Sequence, residues 1–67
     1  MAITLRSARV NKGLTQVKAA ELIGITPDTL SNYERGKSYT DVPIIQRMEQ
    51  VYGVSYSELI FLPTNNG

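Results

Sequence analysis

The chain has 67 residues, with seven Lys or Arg against six Asp or Glu, and it contains neither cysteine nor histidine. That length allows one domain around one small core. The missing cysteines exclude a disulfide framework and a thiolate metal site, and the missing histidines remove the commonest general base and metal ligand.

Five helical segments are predicted, in an all-α bundle. The first runs roughly from Leu5 to Lys12, with Thr4 as its cap, Leu5 and Ala8 on a shared face and Gly13 as its stop. The second runs from about Gln16 to Ile23 behind Thr15. The third opens at Pro27, capped by Thr26, and continues to about Arg35 and Gly36. A polar loop over 37–40 leads to Asp41, which caps a fourth helix with Pro43 in its first turn. Ile44, Ile45, Met48, Val51 and Tyr52 form that helix's apolar stripe, and Gly53 closes it. Ser55 to Glu58 has the spacing of a capping box and predicts a short fifth helix through about Phe61. The β-branched residues are scattered and do not alternate, so no sheet is expected. The domain is assigned to residues 1–62, with 63–67 as a flexible tail.

Helices this short are marginal alone and must pack on one another. The expected core is Leu5, Val10, Leu14, Val17, Ala20, Ile23, Ile25, Leu30, Tyr33, Ile45, Met48, Val51, Tyr52, Val54, Leu59 and Ile60.

The most informative stretch is Gln16 to Arg35, which has the layout of a helix-turn-helix. Ala20 is small where two crossing helices touch. Gly24 occupies the corner, where a positive φ is cheap only without a Cβ. Leu30 and Tyr33 lie three apart and face inward, leaving Pro27, Asp28, Thr29 and Asn32 outside. A second helix with a polar outer face is the element that such motifs place in the DNA major groove.

Together, these pieces resemble the Cro/repressor-type (XRE) helix-turn-helix domains of phage and bacterial regulators. The likeness is carried by Leu14-Thr15-Gln16, Ala19-Ala20, Gly24-Ile25-Thr26, the run from Leu30 to Lys37, and Tyr52-Gly53-Val54-Ser55. It covers about Leu5 to Ile60 and implies a five-helix, lambda-repressor-like DNA-binding domain. In that domain the third helix reads double-stranded DNA, and a dimer binds a two-fold-related operator.

Carried onto this chain, the resemblance makes Gln16 a phosphate contact that also braces the reading helix. Pro27, Asp28, Thr29 and Asn32 become the base-reading set. Family members often have glutamines where this chain has Pro27 and Asp28, so the family's base code does not transfer. Pro27 offers only apolar contact, such as with a thymine methyl. Asp28 either accepts from the N4 amine of cytosine or simply complements the helix dipole, and both readings stay open. Asn32 can pair with adenine N6 and N7. Ser31, Arg35, Lys37, Ser38 and Tyr39 are candidates for the sugar-phosphate backbone, by charge or hydroxyl. Lys18 and Lys12 are weaker candidates of the same kind. Arg9 and Glu34 stand where the family pairs an arginine of the first helix with a glutamate ending the reading helix, a structural pairing.

Tyr56, Leu59, Ile60, Phe61 and Leu62 place five apolar residues within seven positions. That is more than one face of a short helix can bury. This cluster is the expected dimer interface, isologous and two-fold, with folding back onto the core as the alternative.

The expected function is sequence-specific DNA binding by a transcriptional regulator, a repressor in the first instance, acting as a homodimer on a palindromic operator. The alternative is an antirepressor or antitoxin-type module that keeps the fold and binds a protein partner. The near-neutral charge, a net +1, means phosphate affinity must come from local placement of charge, and the salt dependence should be shallow. Enzymatic activity is not expected, because histidine, cysteine and a phosphate-binding glycine loop are missing. No cofactor or metal is expected. With no apolar run of membrane-spanning length and no signal-peptide core, a cytoplasmic, nucleoid-associated protein in a bacterial or phage-infected cell is expected. Because the bundle uses the whole chain, no effector domain is expected either.

Overall fold

The computed structural model describes residues 2–60. The order is β1 (Ile3–Thr4), α1 (Leu5–Asn11), α2 (Gln16–Ile23), α3 (Pro27–Glu34), α4 (Val42–Tyr52), a single 3-10 turn (Tyr56–Glu58) and β2 (Leu59–Ile60).

Each helix begins where a short polar side chain meets a backbone N–H left over by the first turn. Thr4 accepts from Ser7 N, Thr15 from Lys18 N and Thr26 from Thr29 N, all at 3.1 Å, and Asp41 accepts from Ile44 N at 3.2 Å. The helix C-termini of α2 and α4 rely on glycine. Gly24 has φ +92° and Gly53 has φ +70°, so both occupy the left-handed region. Each of these ends also carries a cation. Arg47 Nη1 donates to the Ile23 carbonyl at 3.3 Å. A Cβ added to Gly53 would lie 3.3 Å from Lys12 Nζ, which puts that ammonium over the end of α4. Cations suit these positions because the last carbonyls carry partial negative charge.

The core is built from Leu5 and Ala8 of α1, Ala19, Ala20 and Ile23 of α2, Leu30 of α3, Met48 and Tyr52 of α4, and Leu59 of β2. Leu14, Ile25, Tyr33, Ile44, Val51 and Val54 pack around it. Four expected core members lie outside it: Val10 is 56% exposed, Val17 64% and Ile60 42%, and Ile45 is only half-buried, with its neighbour Ile44 packing on the cluster instead. Helical geometry accounts for the two valines. The buried stripe of α1 is Leu5, Ala8 and Arg9, and at 100° per residue Val10 points away from it. In α2 the inward positions are Ala19, Ala20 and Ile23, one helical repeat after the partly buried Gln16; Val17 falls beside that stripe.

The expected fifth helix does not form. Its capping box is present, with the Glu58 carboxylate accepting from Ser55 N at 3.3 Å and from Ser55 Oγ at 3.0 Å. After one 3-10 turn, however, Leu59 takes an extended conformation, φ −82° and ψ 133°. It pairs in parallel with the start of the chain, Ile3 opposite Leu59 and Thr4 opposite Ile60. This two-residue ladder replaces the last helix and corrects the expectation of a sheet-free fold. By turning inward from β2, Leu59 buries itself against the helices. The fold is thus mainly helical, with four α-helices among the described residues and one short clasp joining residues 3–4 to 59–60.

Candidate nucleic-acid interface

Helices α2 and α3 pack closely against each other around the Gly24 corner, and α4 supports α2 from behind. Leu30 has no exposed surface and fixes the rotation of α3. Pro27 and Asp28 are therefore exposed at its first turn, while Thr29 and Asn32 are partly exposed along its side.

Two of these four already have neighbours. The Thr29 hydroxyl lies 2.8 Å from Thr26 Oγ1, so it is tied to the helix cap. Arg35 Nη2 donates to Asn32 Oδ1 at 3.5 Å, a long bond that leaves the Asn32 amide hydrogens pointing elsewhere. Asp28 sits in the first turn of α3, where a carboxylate complements the helix N-terminus.

Behind the outer face, Arg9 and Glu34 form the pair that the sequence suggested. Arg9 Nε donates to Glu34 Oε2 at 2.7 Å and its Nη2 donates to Oε1 at 3.2 Å. The two side chains are only 11% and 4% exposed. Arg9 Nη1 also donates to the Leu14 carbonyl at 2.9 Å, and Gln16 Nε2 donates to Glu34 Oε1 at 3.1 Å. Gln16 thus braces the end of α3 directly, with its second amide hydrogen left over for another acceptor.

Among the remaining phosphate candidates, Ser31 is partly buried, whereas Arg35, Lys37, Ser38 and Tyr39 are exposed. Lys18 stands 3.8 Å from Glu21, so its charge is partly answered within α2. Lys12 lies over the end of α4, as described above. In the expected dimer cluster, Tyr56 and Ile60 are exposed and Leu59 is buried. Phe61 and Leu62 lie outside the described residues.

One residue that sequence reasoning missed is Arg6. It is exposed on α1 and lines an open groove above the Arg9–Glu34 pair, with Thr4, Thr15, Gln16, Ser31 and Arg35. Its spacing of three from Arg9, one helical turn along the same side of α1, was the available signal.

The family model described as Helix-turn-helix matches residues 5–59, nearly everything described above. The chain belongs to this XRE-type helix-turn-helix family. The helix-turn-helix chain is 37% identical over 59 residues to the HTH-type transcriptional regulator PuuR of Escherichia coli (strain K12), an alignment covering 88% of this chain and 32% of that protein. It is 34% identical over 56 residues to the antitoxin PezA of Streptococcus pneumoniae, covering 84% of this chain and 35% of that one. With the HTH-type transcriptional regulator ImmR of Bacillus subtilis it shares 38% identity over 56 residues, 84% of this chain and 44% of ImmR. The helix-turn-helix chain therefore spans a third to under half the length of these relatives. No solved structure gives a significant match. Among the described residues, no helix is long and apolar enough to cross a membrane.

Proposed function

We propose that this helix-turn-helix domain binds double-stranded DNA sequence-specifically as part of a transcriptional regulator, with α3 in the major groove. The observation that carries this is the outer face of α3. Pro27, Asp28, Thr29 and Asn32 lie on one side of a helix whose other side is fixed by Leu30 in the core and by Glu34 on Arg9. Base discrimination needs such a rigid, solvent-facing set of short polar side chains. Regulators named among the relatives support the same reading.

In the fuller mechanism, two copies bind a palindromic operator, with half-sites one helical turn, ~34–36 Å, apart. Gln16, Ser31, Arg35, Lys37, Ser38 and Tyr39 hold the phosphate backbone, with Lys18 as a weaker contact. Bound dimer blocks transcription, so the role is a repressor's. Support for self-association comes from the exposed Tyr56 and Ile60 at the end of the clasp; Phe61 and Leu62 extend that apolar run in sequence.

Selection from a pool of random duplexes tests the proposal. An enriched palindrome is expected, with its preference lost on Asn32→Ala and its affinity lowered evenly across sequences by Lys37→Ala. Enrichment of nothing, with only weak salt-sensitive binding, would overturn it. The second reading, an antitoxin-type module that binds a protein, is favoured by the likeness to a relative named as an antitoxin. It predicts a stable heterocomplex through Tyr56 and Ile60 and no preferred operator.

A further inference from the structure

Four of the seven basic residues have a partner or a helix end within the domain itself, and of these only Arg9 is buried. Arg9 is paired with Glu34, Lys18 with Glu21, Arg47 donates to the end of α2, and Lys12 lies over the end of α4. Among the described residues, no carboxylate pairs with Arg6, Arg35 or Lys37. Two of these three, Arg6 and Arg35, line the same groove. They come from α1 and from the end of α3, elements far apart in sequence that the Arg9–Glu34 pair draws together.

The chemistry of that groove is specific in kind. Its floor is an arginine and a glutamate that cancel each other's charge. Its walls carry two guanidinium groups, the hydroxyls of Thr4, Thr15 and Ser31, and the second amide hydrogen of Gln16. A group seated here meets positive charge and several hydrogen-bond donors. Guanidinium forks match the paired oxygens of a phosphate. The groove is open along the surface and its α3 wall, Ser31 and Arg35, flanks Asn32. An extended polyanion passing the base-reading face fits that shape better than an enclosed small molecule.

We infer that the groove over the Arg9–Glu34 pair seats one phosphodiester of the DNA backbone between Arg6 and Arg35, which brings α1 into the interface beside the helix-turn-helix. This rests on the DNA-binding reading above. The seated phosphate lies directly over the brace that orients α3, so backbone contact and the aim of the reading helix are set by the same cluster. Arg6 takes no part in that brace and contributes charge alone.

The test is Arg6→Gln in the full chain, with binding to a selected and a scrambled duplex followed by fluorescence anisotropy over a range of salt. The slope of log Kobs against log salt should become shallower by ~0.9 per protomer on both duplexes, because one phosphate contact is lost. The base preference should stay unchanged. Arg6→Lys should keep the wild-type slope, and phosphate-ethylation interference should lose one position per half-site in Arg6→Gln only. Arg6 is exposed, so both variants should melt with the wild type. If wild type binds with a salt-dependent slope that Arg6→Gln leaves intact, this inference fails and the DNA-binding reading stands. If wild type binds no duplex, both fail. A third arm titrates inorganic pyrophosphate against the wild type. Saturable binding that Arg6→Gln abolishes, with the duplex slope unaltered, would make the groove a free-phosphate site and overturn the backbone assignment.

Discussion

Arg9 and Glu34 meet through two parallel hydrogen bonds, 2.7 and 3.2 Å long, across 25 positions of sequence. The same guanidinium holds the Leu14 carbonyl, and the same carboxylate holds Gln16. One ion pair therefore ties α1, the entry to α2 and the last turn of the reading helix.

Breaking that pair from one side leaves an unpaired charge that is almost fully buried. Glu34→Ala and Arg9→Met should each cost ~3–5 kcal/mol in urea unfolding, far beyond the value of an exposed pair. The double variant Arg9→Met/Glu34→Leu should lose much less than the sum of the two single losses, since neither charge is then stranded. Losses below about 1 kcal/mol for both single variants would show that the pair is not a structural brace.

Tyr52 is 2% exposed, and among the described residues its hydroxyl has no hydrogen-bond partner. Its pKa is pushed up to about 12, first by burial, next by the nearby Glu34 carboxylate, with Arg9 opposing. Because the folded value lies above the unfolded one, the stabilising contribution is complete below pH ~10 and is lost as pH rises through about 12. The loss over that window should be about 3 kcal/mol, from roughly 1.4 per unit. Tyr52→Phe should be neutral or stabilising by ~1 kcal/mol at pH 7, because an unsatisfied hydroxyl is removed. Alkaline unfolding curves of the two proteins should diverge above pH 10. Parallel curves would refute the account.

At the helix-turn-helix corner, Gly24 combines φ +92° with a close neighbour. A Cβ there would approach Arg47 Nη1 to 3.1 Å. Gly24→Ala should cost ~1–2 kcal/mol for the left-handed backbone alone. Some further loss should follow as Arg47 moves off the Ile23 carbonyl. Thermal melts check this, and an alanine variant as stable as wild type would count against the geometry.

Local signals in the sequence located most of this fold. Thr4, Thr15, Thr26 and Asp41 each stand directly before a helix and cap it, and Ala20, Ile23, Leu30, Met48 and Tyr52 fall on the buried faces their spacing predicted. What the sequence hid depends on distant partners. The bracing role of Gln16 comes only from the family resemblance, and its acceptor, Glu34 at 3.1 Å, emerges once α3 is folded against α2. Leu59 and Ile60 read as helical because the capping box before them is sound, yet pairing with Ile3 and Thr4 outweighs one more helical turn. Val10 and Val17 differ for another reason: both are apolar, but their angular positions lie off the buried stripes of α1 and α2. In the candidate site, the base-reading face was legible from periodicity. Arg6 was not, because nothing in α1 alone shows that Arg35 lines the same groove.

The parallel clasp also fixes a direction of travel. At Ile60 the backbone runs beside Thr4, in the same sense in which Thr4 enters α1. Thr4 is itself a wall of the groove that holds Arg6. Thr4 is thus at once the partner of Ile60, the cap of α1 and part of the groove's rim, so loosening the clasp would loosen that rim as well.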